Sequence, residues 1–230
     1  MIGEATPWIF SAAEYPSAAT AGIRYPFMQH RRTSLVIFVV LPLAAALGAL
    51  AYWLLATSRA MTGSPRYNLI FKDGSFELRD YPQLALVNAP MGGAGMDSSF
   101  RQLFRYITGG NDRAEKIAMT TPVLIGEAGG SRTMGFIMPE DLAAQGLPKP
   151  SDQRLAPGQI DSGRFAVLRF SGGRSPANEA RAIQSLTDQL AGRQLGAQGA
   201  PLIAYYDPPW TPIFLRRNEV MIPIANSKRS

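Results

Sequence analysis

The chain has no cysteine and a single histidine, His30. Without thiols it has no disulfide framework, no thiolate nucleophile and no zinc-thiolate centre. His30 precedes a long apolar run, so everything after that run lacks an imidazole for general-base work or metal ligation. Strong charge is missing too. The net charge of +6 divides into +2 over residues 1–60 (four Arg, two Glu) and +4 over the rest. No basic run interleaved with aromatics appears, so nucleic acid is not an expected partner. No spaced pair of carboxylates, tyrosines or lysines stands out for acid-base work, so no catalytic or metal-binding residue is assigned and an enzyme is not expected.

What is present divides unevenly. Residues 1–34 show no periodicity and read as a disordered N-terminal segment. Residues 35–55 (LVIFVVLPLAAALGALAYWLL) are 21 residues without a charge, enough at 1.5 Å rise to span a hydrocarbon core of about 30 Å. They predict a transmembrane helix acting as a signal anchor, with Tyr52 and Trp53 at the headgroup level. Ser58-Arg59-Ala60 offers a signal-peptide cleavage site as the rival reading, against which the apolar stretch is too long. Arg24, Arg31 and Arg32 before the run favour an inside N-terminus, which puts the following domain on the extracytoplasmic side. Met28 followed by Gln29-His30-Arg31-Arg32 reads as an alternative start for such an anchor.

After a linker over 56–66, residues 67–224 form one domain, and 225–230 are a tail. A domain of this size buries roughly 70% of its unfolded surface and needs no staple. Strands are predicted at Tyr67 to Phe71, Phe76 to Tyr81, Leu84 to Ala89, Pro122 to Ile125, Thr133 to Met138, Phe165 to Phe170, Leu202 to Tyr206 and Asn218 to Ile224. Asp73-Gly74 turns the first hairpin. Two segments carry helical period instead. Asp97 to Thr108 aligns Phe100, Leu103, Phe104 and Ile107 and stops at Gly109-Gly110. Ser175-Pro176 caps a second stripe of Ile183, Leu186 and Leu190 ending at Gly192. Eight strands and two helices predict an α+β fold, a distorted eight-stranded antiparallel barrel flanked by two helices.

Particular residues carry a family resemblance. Phe76-Glu77-Leu78-Arg79-Asp80-Tyr81, Leu103-Phe104-Arg105-Tyr106-Ile107-Thr108-Gly109-Gly110-Asn111, Ile117-Ala118-Met119-Thr120-Thr121-Pro122-Val123, Tyr206-Asp207-Pro208-Pro209 and Arg216-Arg217-Asn218-Glu219-Val220 resemble the SOUL haem-binding family in order and spacing. The domain is also similar to gyrase-inhibitor-like ligand-binding domains. The resemblance implies a barrel built as two similar halves and a non-catalytic protein that binds, buffers or delivers haem or another tetrapyrrole.

In the protein that gives the family its name, a histidine following the Glu-x-Arg of the first hairpin ligates haem, and here that residue is Asp80. Relatives without it hold tetrapyrroles by apolar contact between the first helix and a late loop. By that resemblance the expected contacts are Phe100, Phe104, Arg101 and Arg105 on the helix and Trp210, Ile213 and Phe214 in the loop. Haem is then non-covalent with no assigned axial ligand, Met119 and Tyr106 being the candidates. Relatives place a basic residue at the position of Arg105, where it can meet a propionate, and a second cation roughly at that of Thr211. The alternative is a haem-independent scaffold or sensor domain binding a small apolar ligand or a protein partner.

Overall fold

The computed structural model describes residues 36–56, 63–92 and 95–225. The N-terminal segment through residue 35, the cleavage-site residues 58–60, Met28 and most of the tail lie outside them. The chain divides into two units, Met1–Tyr52 and Trp53–Ser230. In the first, a π-helical turn, Val36–Val40, leads directly into helix α1, Leu41–Ala56. Residues 36–56 are thus helical throughout, in a π-helical and an α-helical piece. The α-helix has 16 residues, and among the described residues no helix is long and apolar enough to cross a membrane. Pro42 accounts for the break: it has no N–H to bond the carbonyl four residues back, and the turn before it widens.

The second unit is one antiparallel sheet of nine strands: β1 Asn68–Asp73, β2 Phe76–Tyr81, β3 Leu84–Pro90, β4 Val123–Ala128, β5 Ser131–Ile137, β6 Ala156–Ile160, β7 Gly163–Phe170, β8 Leu202–Tyr205 and β9 Asn218–Ile224. Three helices accompany it: α2 Gly95–Ile107, α3 Glu140–Gln145 and α4 Pro176–Gly192. The strand order is β1-β2-β7-β9-β8-β4-β5-β3-β6. Leaving out β1, exchange of β2 with β6, β3 with β7, β4 with β8 and β5 with β9 reverses this order without changing it. The same exchange swaps α2 with α4, so the topology is that of two similar halves.

The sheet curls but does not close, which corrects the expected barrel. Tyr81 of β2, Leu84 of β3, Ile160 of β6 and Phe165 of β7 line a single residual void of about 10 Å³, so strands far apart in the order meet on the concave face. β1 and β6 nevertheless stay unpaired edges. A bulge at Ile70 interrupts the β1 register, and Pro157 withdraws a ladder donor from β6. β6 is also the ninth strand, unseen in the sequence because Ala156-Pro157-Gly158 reads as a loop; an edge is where such a strand survives.

Each face of the sheet has its own core. Phe76, Val87, Phe136, Leu168, Val220 and Ile222 meet Leu103, Tyr106 and Ile107 of α2 and Leu186 and Leu190 of α4. Tyr81, Leu86, Leu124, Phe165, Tyr206 and Met221 fill the concave side. On that side Glu219, fully buried, accepts a forked pair from Arg79 at 2.8 and 3.0 Å, a second guanidinium from Arg217 at 2.6 Å, and the Tyr206 hydroxyl at 2.8 Å. Burial alone would raise the Glu219 pKa, but the hydrogen bonds and charges of Arg79 and Arg217 outweigh it and hold the carboxylate below its ordinary range.

Candidate functional site

Helix α2 is pinned at both ends. Ser99 Oγ donates to the Pro90 carbonyl at 2.8 Å and Tyr106 Oη to the Pro148 carbonyl at 3.0 Å. Leu103, Tyr106 and Ile107 face inward, so residues about 100° further round the helix must face out. Phe100 and Phe104 occupy that flank. Their rings are near parallel (14°) with centroids 6.0 Å apart, and Phe100 rests its ring against Phe136 at 5.4 Å. Phe104 is 48% exposed. Together they present a two-ring ledge supported from below and open to solvent above.

Arg101 and Arg105 are both exposed, one turn apart. Round the helix they lie about 40° apart, Arg101 about 60° and Arg105 about 100° from Phe104. Arg105 lines a different depression, of about 240 Å³, with Gln102, Tyr106 and Asp152. Asp152 there is held down at about 2, chiefly by the hydrogen bond from Arg154.

The late loop, from Asp207 to Arg217, is fastened through its backbone. Thr211 N–H donates to the Pro208 carbonyl at 3.1 Å, Leu215 N–H to the Pro212 carbonyl at 2.9 Å, and Arg216 Nε to the Thr211 carbonyl at 2.8 Å. Arg174 reaches the Asp207 carbonyl and lies over the Tyr205 ring at 4.8 Å. With the backbone tied and three prolines limiting φ, the apolar side chains stand outward. Trp210 is 67% exposed and Phe214 80%, with Ile213 and Leu215 exposed beside them.

Burial lowers the Arg174 pKa and the Arg216 charge adds to this, while Asp207 at the start of the loop and Asp97 in the first turn of α2 act on it in the opposite sense. Arg174 Nε is buried without a hydrogen-bond partner among the described residues. Residues 62–223 match the family model described as SOUL heme-binding protein. The chain belongs to the SOUL family. No curated protein matches the chain significantly. Solved structures similar to it include the EcmrR C-terminal domain (TM-score 0.46, 10% identity, 70% of this chain and 98% of that one). A hydrolase from Listeria innocua (0.43, 6%, 71% and 93%) and SAV2435 bound to tetraphenylphosphonium (0.37, 10%, 66% and 94%) are also similar.

In this SOUL domain, the position at which a histidine is expected holds Asp80, engaged by Arg164 through two hydrogen bonds of 2.7 and 2.8 Å. Tyr106 Oη is committed to a carbonyl inside the core, and Met119 lines a separate cavity beside α3. His30 lies outside the described residues. The Asp80 carboxylate and the Tyr106 hydroxyl are therefore both already engaged within the domain. Thr211, where a second cation stood to be found, is buried at 3% exposure.

Sequence reasoning brought Phe100 with Phe104, and Trp210 with Ile213 and Phe214, to two exposed surfaces. It missed Arg174 and Arg216, which bond the loop's backbone carbonyls. Arg174 is one charge in a Gly-Gly-Arg-Ser turn and carries no periodic signal. Leu215 continues the apolar run that marked Phe214 and was readable.

Proposed function

We propose that the SOUL domain binds haem or a related tetrapyrrole without catalysis, by apolar contact between the Phe100-Phe104 ledge and the Trp210-Leu215 loop. Haem bound there would supply its own iron chemistry, while the protein contributes ring contact, shielding from water and Arg101 for a propionate. The observation carrying this reading is that the domain exposes two groups of large apolar side chains on rigid supports, and both belong to segments shared with the family. Such patches on a monomer mark binding surfaces.

Hemin titrated into residues 61–230 should give a saturable Soret change at one equivalent, without the spectrum of a six-coordinate low-spin haem. A featureless titration at micromolar hemin removes the proposal. Phe104→Ser combined with Phe214→Ser should weaken binding by about tenfold or more, in line with the loss of two ring contacts.

Membrane anchorage belongs to the same reading. Its support is that residues 36–56 are helical without a gap and uncharged, with Phe38, Leu41, Leu43, Leu47 and Leu50 exposed. Three arginines before the run against Arg59 and Arg66 after it support a domain on the extracytoplasmic side. Carbonate-washed membranes should retain the full chain; its appearance in the supernatant contradicts anchorage.

A further inference from the structure

A cavity in the second unit shares no lining residue with the ledge or the loop. It has a volume of about 290 Å³, against roughly 150 Å³ for an apolar cavity known to admit benzene, so it has room for two fused rings. Pro65, Leu84, Met119, Met138 and Ala143 give it an apolar lining, and Arg66 stands among them. Thioethers adapt to flat apolar shapes and favour ring contact.

The wall formed by residues 63–66 is built in. Thr121 N–H donates to the Gly63 carbonyl at 2.8 Å, Gly63 bridges Thr120, and Ser64 Oγ meets Thr121 Oγ1 at 2.9 Å. The other polar lining groups are also engaged: Thr120 Oγ1 donates to the Ile137 carbonyl and Gln83 Nε2 to Gln159 at 2.9 Å. Two charges remain. Glu140 stands exposed in the first turn of α3, its carboxylate open to water. Arg66 has no carboxylate partner among the described residues.

We propose that this cavity is a second ligand site, taking a small apolar carboxylic acid whose body lies against Met119 and Met138 and whose carboxylate meets Arg66. A guanidinium binds a carboxylate through two parallel hydrogen bonds, which gives the acid its advantage over neutral or cationic analogues of the same shape. The site shares no lining residue with the proposed tetrapyrrole surface.

The test uses the full chain in lipid nanodiscs, titrated with 1-naphthoate, 1-naphthylmethanol and 1-naphthylmethylamine, with empty nanodiscs subtracted. The acid should bind saturably at one equivalent and in preference to the alcohol and the amine. Arg66→Gln, at an exposed position, should weaken the acid about tenfold and bring it level with the alcohol. Ala143→Phe should fill the cavity and abolish binding, whereas Phe104→Ser should leave it unchanged. The proposal is overturned by absence of saturable binding, by preference for the amine, by an Arg66→Gln titration identical to wild type, or by loss of binding in Phe104→Ser. Hemin binding that survives Ala143→Phe while naphthoate binding is lost separates this site from the first.

Discussion

Glu219 is enclosed between Arg79 and Arg217 with no exposed surface, so its charge is tolerable only while both partners stay in place. Glu219→Gln leaves the buried Arg79 with Glu77 as its one carboxylate and takes from the half-buried Arg217 its partner; it should cost about 3 kcal/mol, read as a loss of urea midpoint at constant slope. Its folded pKa is depressed, so its contribution to stability is complete above the unfolded carboxylate pKa. That contribution fades as pH falls through the folded value. The wild type should therefore lose stability more steeply than Glu219→Gln below about pH 4.5, which thermal melts between pH 3 and 7 will show. The same scale bears on Asp80: its pKa is lowered chiefly by the Arg164 hydrogen bond, which makes it one half of an ion pair and an unsuitable substitute for an imidazole.

At the scale of elements, helix α2 ends because of space. A Cβ on Gly110 would lie 2.8 Å from the Arg105 carbonyl oxygen, while Gly110 N–H bonds that same oxygen at 2.9 Å. Gly110→Ala should destabilise the domain by about 1–3 kcal/mol and, by disturbing the last turn, loosen the ring ledge; the urea midpoint and hemin affinity report the two effects. Helix α4 begins as its sequence says it should, with Ser175 accepting from Asn178 N–H, and Ser175→Ala should cost about 1 kcal/mol in the same assay.

These signals were legible because they are local: Phe76–Tyr81 and Asn218–Ile224 have the ends that their residues predict, and so does the Ser175 cap. What escaped depends on distant partners. Pro157 and Gly158 argue against a strand until β3 is seen to accept β6 as an edge. Whether a curled sheet closes depends on how β1 and β6 meet, which no stretch of sequence encodes. At the site, helical spacing put Phe100 and Phe104 on one stripe with Leu103 and Ile107, and the family resemblance, not the spacing, marked them and the proline-rich run as contacts. The Arg174 contact that ties the loop down comes from a turn more than 30 residues upstream, so no local pattern announces it.

For the whole molecule, the family match supports the proposed class of ligand and says nothing of how it is held. The described domain contains neither histidine nor cysteine, Asp80 is paired, and the Tyr106 hydroxyl is buried and bonded, so the account rests on contact with the macrocycle and not on coordination of its iron. Comparison of hemin with metal-free protoporphyrin IX on residues 61–230 tests this most directly. Contact binding predicts dissociation constants within about threefold of one another, less than 1 kcal/mol apart. Hemin binding a hundredfold more tightly than the metal-free ring would show that the iron has a ligand and would contradict the account.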